Sequence, residues 1–428
     1  MRYTIIKPTT TTQNRILLYS MDYKPELTQL INLDLCTQVS RRKLESIYLQ
    51  PLTSSKDGTL QVPIIHPKLL RLIDRMIGAF DTPLTARALR PNLDSVRKTL
   101  INFDQNINQN KDSMFQSEVS SMHGVMSIEL EINRSRIRIN FLYGDYNQNM
   151  GYMAAILHAT HTFCTLYPRN YDGLTITACL DSLTRTVEHP DKDMGLPEIL
   201  AYLKNRSVAL NVSGVTISDH KTIILTKREE VIKLLFHELA HYAGLDSSLH
   251  KPISFGWDLI EPKLNLSEGF TEFVAIILTT AYDAIHLASV KSIDPYKLYA
   301  LMLATETQYS IYLTAAVLKF FGYDQQTWRE FFGRAGKSDE VNPAPSPIPI
   351  WEYVIVRAQL MVELNRVVDI LTEDLEIDSD PGPIIASMKP DDVFLHQVGI
   401  YMHNNNYDDN ISYLLIDLDW QKVWAVLV

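Results

Sequence analysis

The most regular alternation of apolar and polar residues lies between Val125 and Tyr143. The stretch VMSIELEINRSRIRINFLY alternates on both sides of the polar N-R-S, which is typical of a β-hairpin. The apolar run GLTITACLDS, residues 173–182, predicts a buried strand. Two short strands are predicted in SVALNVSGVTI, residues 207–217, and HKTIILT, residues 220–226. All of these strands precede the longest helical patterns.

Helical spacing of apolar residues begins with PKLLRLIDRMIGAF at Pro67 and returns in MGYMAAILHATHTFCTLY at Met150. From Ser267 onward the pattern is mainly helical, and it resumes in IWEYVIVRAQLMVELNRVVDILTEDL at Ile350. The last stretch, ISYLLIDLDWQKVWAVLV from Ile411, predicts strand. Strands followed by helices predict an α+β fold rather than repeated βαβ units.

A proline-rich stretch, NPAPSPIPIW, interrupts the helical region and predicts an extended linker. We therefore expect four parts in the chain. They are a mixed N-terminal region (1–120), a central domain (121–335), the linker (336–350) and a C-terminal helix and strand region (351–428).

Composition narrows the class of protein. The chain is 46% hydrophobic and 21% charged, with a net charge of −10, which argues against a nucleic-acid-binding surface. Three cysteines without a C-x-x-C pattern fit a reducing compartment. No signal-peptide layout and no run of 18 apolar residues is found. We expect a cytoplasmic protein with no membrane partner.

The candidate chemistry lies in LLFHELAHYAGL, where His237, Glu238 and His241 form H-E-x-x-H. A capping box, Thr226 to Glu229, and a C-terminal Gly244 predict a helix over residues 227–243. The histidines are i and i+4 and share one face, as two ligands of one zinc ion would. Glu238 points about 100° away, so its predicted role is the general base that activates a zinc-bound water.

The third metal ligand has two candidate sources. In the extended motif H-E-x-x-H-x-x-G-x-x-H the last position is Ser247, a poor ligand, and Asp246 and His250 are out of register. The alternative is NLSEGFTEF, where Ser267 resembles an N-cap and Glu268 and Glu272 are i and i+4.

We predict Glu268 as the ligand and Glu272 as the residue that orients a ligand histidine. Both glutamates would also favour a helix N-terminus without binding a metal.

HELAHYAGL and NLSEGFTEF together resemble the glutamate-type zinc metallopeptidases, the gluzincins. The resemblance covers residues 205–285 and implies a zincin-like core: a small mixed sheet with an edge strand, the motif helix and a glutamate helix. The aminopeptidase recognition segment G-x-M-E-N is not found, so aminopeptidase activity is not implied. LNVSGVTI, the R-E-E at Arg228 and the motif also resemble uncharacterised H-E-x-x-H proteins of large DNA viruses, with N-V-S-G where those have V-N-S-G.

The predicted function is peptide-bond hydrolysis of a protein or peptide substrate with a zinc cofactor. In such peptidases the strand before the motif helix pairs with an extended substrate, a position that residues 209–215 fit. Tyr309 and Tyr312 are candidates for stabilising the oxyanion, with no basis for choosing either. Two alternatives remain: an inactive structural or interaction protein that retains the zincin scaffold, and a hydrolase of non-peptide amides.

Overall fold

The structure is a computed structural model. It describes residues 35–44, 65–108, 114–180, 213–249, 266–320, 322–332, 351–376, 392–403 and 413–427. The predicted linker, 336–350, lies outside these residues, as do residues 209–212 of the predicted edge strand.

Six strands form one mixed sheet. They are β1 (Thr85–Leu89), β2 (Gly124–Ile132), β3 (Ser135–Tyr143), β4 (Thr175–Leu180), β5 (Gly214–Ile217) and β6 (Thr222–Leu225). Their order is β1-β2-β3-β4-β6-β5. The central pairs β3–β4 and β4–β6 are parallel, and the outer pairs are antiparallel. Among the described strands, the short β5 therefore lies at one edge of the sheet.

The predicted hairpin is confirmed as β2 and β3, which are antiparallel with Ile132 opposite Ser135. The two turn residues, Asn133 and Arg134, both have positive φ, 50° and 69°. This backbone suits a two-residue hairpin because its twist matches that of the flanking strands. The predicted buried strand is β4, whose residues after Thr175 are all buried.

The helices surround this sheet and extend beyond it. They are α1 (Gln38–Leu44), α2 (Pro67–Phe80), α3 (Leu93–Asn108), α4 (Met114–Ser121), α5 (Tyr146–Leu166), α6 (Val231–Ala243), α7 (Leu266–Lys291), α8 (Pro295–Phe320), α9 (Arg357–Val362), α10 (Leu364–Asp369), α11 (Asp392–His403) and α12 (Trp420–Leu427). A π-helical turn, Glu352–Val356, leads into α9. The described part of the chain is therefore α+β, as predicted.

Helix α7 is the centre of the helical part and packs against α6, α8 and the π-helical turn. By length and composition alone it could cross a membrane, since an 18-residue window has mean hydropathy 1.6. That window is 89% buried within the protein, as in the core helix of a soluble protein. The helical pattern predicted from Ser267 onward is confirmed here by α7.

The start of the motif helix was predicted wrongly. Helix α6 begins at Val231 and not at Lys227, because Glu230 is left-handed, with φ 54°. The hydroxyl of Thr226 donates to the carbonyl oxygen of Ser213, so the capping box does not form. The C-terminal prediction holds, since Gly244 has φ 69° and ends the helix.

The strand prediction for the C-terminal stretch is also wrong over most of its length. Residues 413–418 run through the interior with one isolated bridge, between Leu418 and Cys36, and then form α12. Trp420, Val423 and Trp424 are buried on one face of this helix. Their spacing, i, i+3 and i+4, is that of a helix. The apolar and polar alternation in the preceding residues led instead to the strand prediction.

Candidate metal centre

Three predicted ligand residues meet between α6 and α7. His237 and His241 lie one turn apart on α6, and Glu268 lies in the first turn of α7. The two Nε2 atoms are 3.1 Å apart, and Oε2 of Glu268 is 3.5 Å from that of His237 and 3.4 Å from that of His241. Two imidazoles and a carboxylate thus point at one small volume and could hold a metal ion.

The outer nitrogen of each histidine contacts a carboxylate. Nδ1 of His237 is 3.1 Å from Oε2 of Glu272, and Nδ1 of His241 is 2.8 Å from Oδ2 of Asp246. An Nδ1–H that donates to a carboxylate leaves Nε2 as the nitrogen that can bind a metal. Glu272 thus lies where the sequence predicted it, whereas the orienting role of Asp246 was missed.

Asp246 was considered only as a ligand in the extended motif. Its carboxylate also accepts a hydrogen bond from the hydroxyl of Ser267, the residue beside Glu268. Within the described residues α7 begins at Leu266, so Ser267 lies inside the first turn and is not the predicted N-cap. Its side chain instead joins α7 to the loop that follows α6.

Glu272 is held as an anion by two buried cations. Lys233 Nζ lies 2.6 Å and Arg357 Nη1 3.4 Å from Oε1 of Glu272. Burial alone would raise the pKa of this carboxyl group, but Lys233, His237 and Arg357 outweigh it and lower the pKa well below its ordinary value. An ionised Glu272 is a strong acceptor for the His237 ring.

Burial and neighbouring charged groups also have opposite effects on the pKa values of Glu268 and His241. Burial opposes charge on Glu268, but the two histidines lower its pKa well below the ordinary value. For His241 burial favours the neutral ring, but Asp246 and Glu268 raise the pKa to about 10. Among the described residues no donor forms a hydrogen bond with the buried Oε2 of Glu268, although both imidazoles face it.

Glu238 points away from this cluster toward the edge strand. The hydroxyl of Thr216 on β5 lies 2.8 Å from Oε2 of Glu238. A Cβ at Gly214 would lie 2.6 Å from Oε1, so only glycine lets the strand approach this closely. Burial raises the pKa of Glu238, and the two histidines offset part of that rise.

A relative of the chain is found in Acanthamoeba polyphaga mimivirus, where it is described as "Uncharacterized protein R210". The two sequences are 35% identical over 362 residues, which cover 83% of this chain and 92% of the relative. The chain belongs to the family of this mimivirus protein. No family model matches the sequence, and no solved structure matches it. The predicted resemblance to proteins of large DNA viruses therefore holds, and the relative's description names no activity.

Sequence reasoning missed an aromatic residue at the centre. The ring of Tyr353, on the π-helical turn, lies 5.9 Å from that of His237 between centroids. Burial and the carboxylates of Glu268, Glu238 and Glu272 raise its pKa, so it stays a phenol that can donate a hydrogen bond. A π-helical turn within a helical segment is a recurrent feature of functional sites.

The two tyrosines that the sequence suggested lie elsewhere. Tyr309 accepts a hydrogen bond from Lys43 Nζ at 3.0 Å, and Tyr312 packs on Tyr401. With 21 tyrosines in the chain, helical spacing alone could not identify Tyr353.

Proposed function

We propose that the protein is a zinc-dependent metallopeptidase of gluzincin type. The observation that carries the proposal is the triangle formed by the Nε2 atoms of His237 and His241 and Oε2 of Glu268, with sides of 3.1, 3.4 and 3.5 Å. Zinc bonds of about 2.0–2.1 Å in a tetrahedron separate the ligand atoms by about 3.4 Å. The triangle therefore has the size that one zinc ion requires.

The donor set is one that a catalytic zinc uses, and iron(II) sites share it. Two imidazoles and one carboxylate that leave a coordination position open are the ligands of a catalytic zinc. The buried Oε2 of Glu268, which lacks a hydrogen-bond donor among the described residues, would gain a partner in the cation. The carboxylates behind both histidines supply the outer contacts that such ligands usually have.

The reaction we propose is attack of water on the carbonyl carbon of a peptide bond. A bound zinc ion would acidify the water and polarise the carbonyl group. Glu238 would accept the proton of the attacking water and deliver it to the leaving amine as the C–N bond breaks. Tyr353 would donate a hydrogen bond to the oxygen that becomes negative.

The edge strand supplies the features that a peptide-binding strand needs. β5 pairs with β6 on one side, and among the described strands it is an end of the sheet. Its Thr216 contacts Glu238, so a peptide added alongside β5 would run next to the general base. We therefore propose an extended peptide as the substrate.

The test compares the wild type with Glu238→Gln and His237→Ala after zinc-replete purification. We expect about one zinc per chain in the wild type and in Glu238→Gln, and less in His237→Ala. Hydrolysis of a mixed peptide library, read by mass spectrometry, should be lost in both variants. Full activity of Glu238→Gln would refute the mechanism. A wild type that binds zinc and cleaves no peptide would favour an inactive zinc scaffold or another amide substrate.

A further inference from the structure

Residues 413–416, here called the C-terminal segment, are buried within the helical part of the protein. Buried carboxylate groups accept hydrogen bonds from the backbone N–H groups of Leu414, Leu415 and Ile416. Leu414 N donates to Oε1 of Glu230 at 2.8 Å, and Ile416 N donates to Oε1 of Glu306 at 2.8 Å. Leu415 N lies 3.1 Å from both oxygens of Glu306. The segment is thus held by side chains of α8 and of the residue before α6.

One end of the C-terminal segment reaches the carboxylate behind the metal ligands. Nη1 of Arg357 donates to the carbonyl oxygen of Tyr413 at 2.7 Å and lies 3.4 Å from Glu272. Glu272 contacts the outer nitrogen of His237. A single guanidinium group therefore joins the segment to the residue that orients a ligand.

A second cation makes the same connection. Lys233 Nζ lies 2.6 Å from Glu272 and 3.5 Å from Oε2 of Glu230, whose other oxygen accepts from the C-terminal segment. The same ammonium group is 5.0 Å from the ring centre of Tyr413. Since Lys233 is one turn before His237 on α6, moving the segment would disturb the charges beneath that ligand.

The third connection is aromatic. The ring of Tyr413 lies 5.9 Å from that of Tyr353, and the latter lies 5.9 Å from the ring of His237. Tyr413 thus contacts the centre through Arg357, Lys233 and Tyr353.

We propose that the C-terminal segment is a positioning element of the metal centre, with Tyr413 as its positioning residue. The segment holds Arg357 and Lys233 on Glu272, and Glu272 keeps His237 oriented for the metal. Zinc binding and seating of the segment then strengthen each other, because such coupling is reciprocal. This inference rests on the proposed zinc site and identifies a part of it more than 140 residues from the ligands in sequence.

The first test is the zinc dissociation constant of Tyr413→Leu, measured by chelator competition on the full chain. Tyr401→Leu is the matched control, since the two tyrosines are 7% and 8% exposed and each packs on another tyrosine ring. Both variants should lose thermal stability. Only Tyr413→Leu should weaken zinc binding, by about ten- to a hundredfold, as substitutions behind metal ligands do.

The second test needs no variant. Hydrogen exchange of the amides of Leu414, Leu415 and Ile416 is compared in the zinc-loaded and zinc-free wild type, with those of β2 and β3 as reference. Zinc should slow exchange in the C-terminal segment more than in the hairpin. Equal slowing in both regions, or equal zinc affinity of the two tyrosine variants, would overturn the inference while leaving the zinc site intact. A wild type that binds no zinc would overturn the proposed function as well.

Discussion

The contact between β5 and Glu238 depends on the absence of a side chain at residue 214. A methyl group there would lie 2.6 Å from Oε1 and 2.9 Å from Cγ of Glu238. Either the strand or the carboxylate must then move. The strand is held to β6 by its register with Leu225, so we expect the carboxylate to be displaced.

Gly214→Ala should therefore lower kcat by about a hundredfold, which is the effect of misplacing a catalytic group by about 1 Å. Zinc content should not change, because the metal ligands do not contact this residue. Gly144→Ala is the control, since a Cβ there meets no atom within 4 Å. Peptide hydrolysis and elemental analysis of the two variants check this, and an unchanged kcat in Gly214→Ala would contradict it.

A second prediction at the residue scale concerns the phenol of Tyr353. Tyr353→Phe keeps the ring beside His237 and removes the hydroxyl, so zinc should be retained while kcat falls about 10²–10³-fold. Tyr401→Phe, at a buried ring distant from the ligands, should keep both properties. If the hydroxyl acts only in packing, Tyr353→Phe will hydrolyse peptides at the wild-type rate.

The residues that sequence reasoning identified are those whose spacing along one helix is fixed. His237 and His241 must share a face of α6, and Glu268 and Glu272 a face of α7. Asp246 and Tyr353 could not be found in this way, because their positions depend on a loop and on a helix 85 residues after Glu268. The spacing of residues along one helix cannot reveal such tertiary contacts.

At the scale of elements, the site depends on how closely the π-helical turn approaches α7. A Cβ at Gly269, next to Glu268, would lie 2.3 Å from Cγ1 of Val356 and 3.0 Å from the carbonyl oxygen of Glu352. Glycine at this helical position thus allows Tyr353 to lie near the ligands. The S-E-G-F stretch therefore contributes both a ligand and the space beside it.

Gly269→Ala should lower the free energy of unfolding by about 1–3 kcal/mol, the usual penalty of overpacking a core. It should also weaken zinc binding, because α7 must shift at Glu268. Val356→Ala, combined with it, removes the clashing methyl groups and relieves the overlap in part, since the Cβ of residue 356 stays 2.7 Å from the added Cβ. The double variant should then be more stable than the sum of the two single effects. If the changes in unfolding free energy from denaturant titrations are strictly additive, α7 and the π-helical turn do not pack against each other at Gly269 and Val356.

The elements themselves were predictable where one pattern covered a whole segment. The hairpin, α2, α5 and the buried strand β4 all have such patterns. Prediction failed at the start of α6, where Glu230 adopts a left-handed backbone while its side chain binds Leu414. It failed also after Tyr413, where the chain is buried through hydrogen bonds to side chains rather than to a strand.

At the scale of the whole molecule, a cluster of aromatic and histidine rings joins helices from distant parts of the sequence. Its members are Phe80 of α2, His158 of α5, Tyr282 and His286 of α7, and Trp420 and Trp424 of α12. His158 Nδ1 lies 3.1 Å from the hydroxyl of Tyr282, and His286 Nδ1 lies 2.8 Å from its carbonyl oxygen. Each imidazole is thus held in the cluster by a contact of its Nδ1 with Tyr282.

Burial lowers the pKa of both histidines, that of His286 from 6.5 to about 4. Between pH 4 and pH 6.5 the unfolded chain therefore binds more protons at His286 than the folded chain does. The stability from the neutral ring is thus complete above pH 6.5 and is lost as the pH falls toward 4. For His286 alone the loss amounts to about 3 kcal/mol, at about 1.4 kcal/mol per pH unit.

His286→Phe keeps an aromatic ring in the cluster and removes the titrating group. The difference in unfolding free energy between pH 7 and pH 5 should then be smaller than in the wild type by about 2 kcal/mol. The comparison also includes a smaller change at His158, whose pKa is lowered first by burial and then by the charge of His286. Urea titrations at the two pH values measure this difference in unfolding free energy. An unaltered pH dependence in His286→Phe would mean that the His286 ring is protonated within the folded protein, and that the contact of α7 with α12 accommodates a charge.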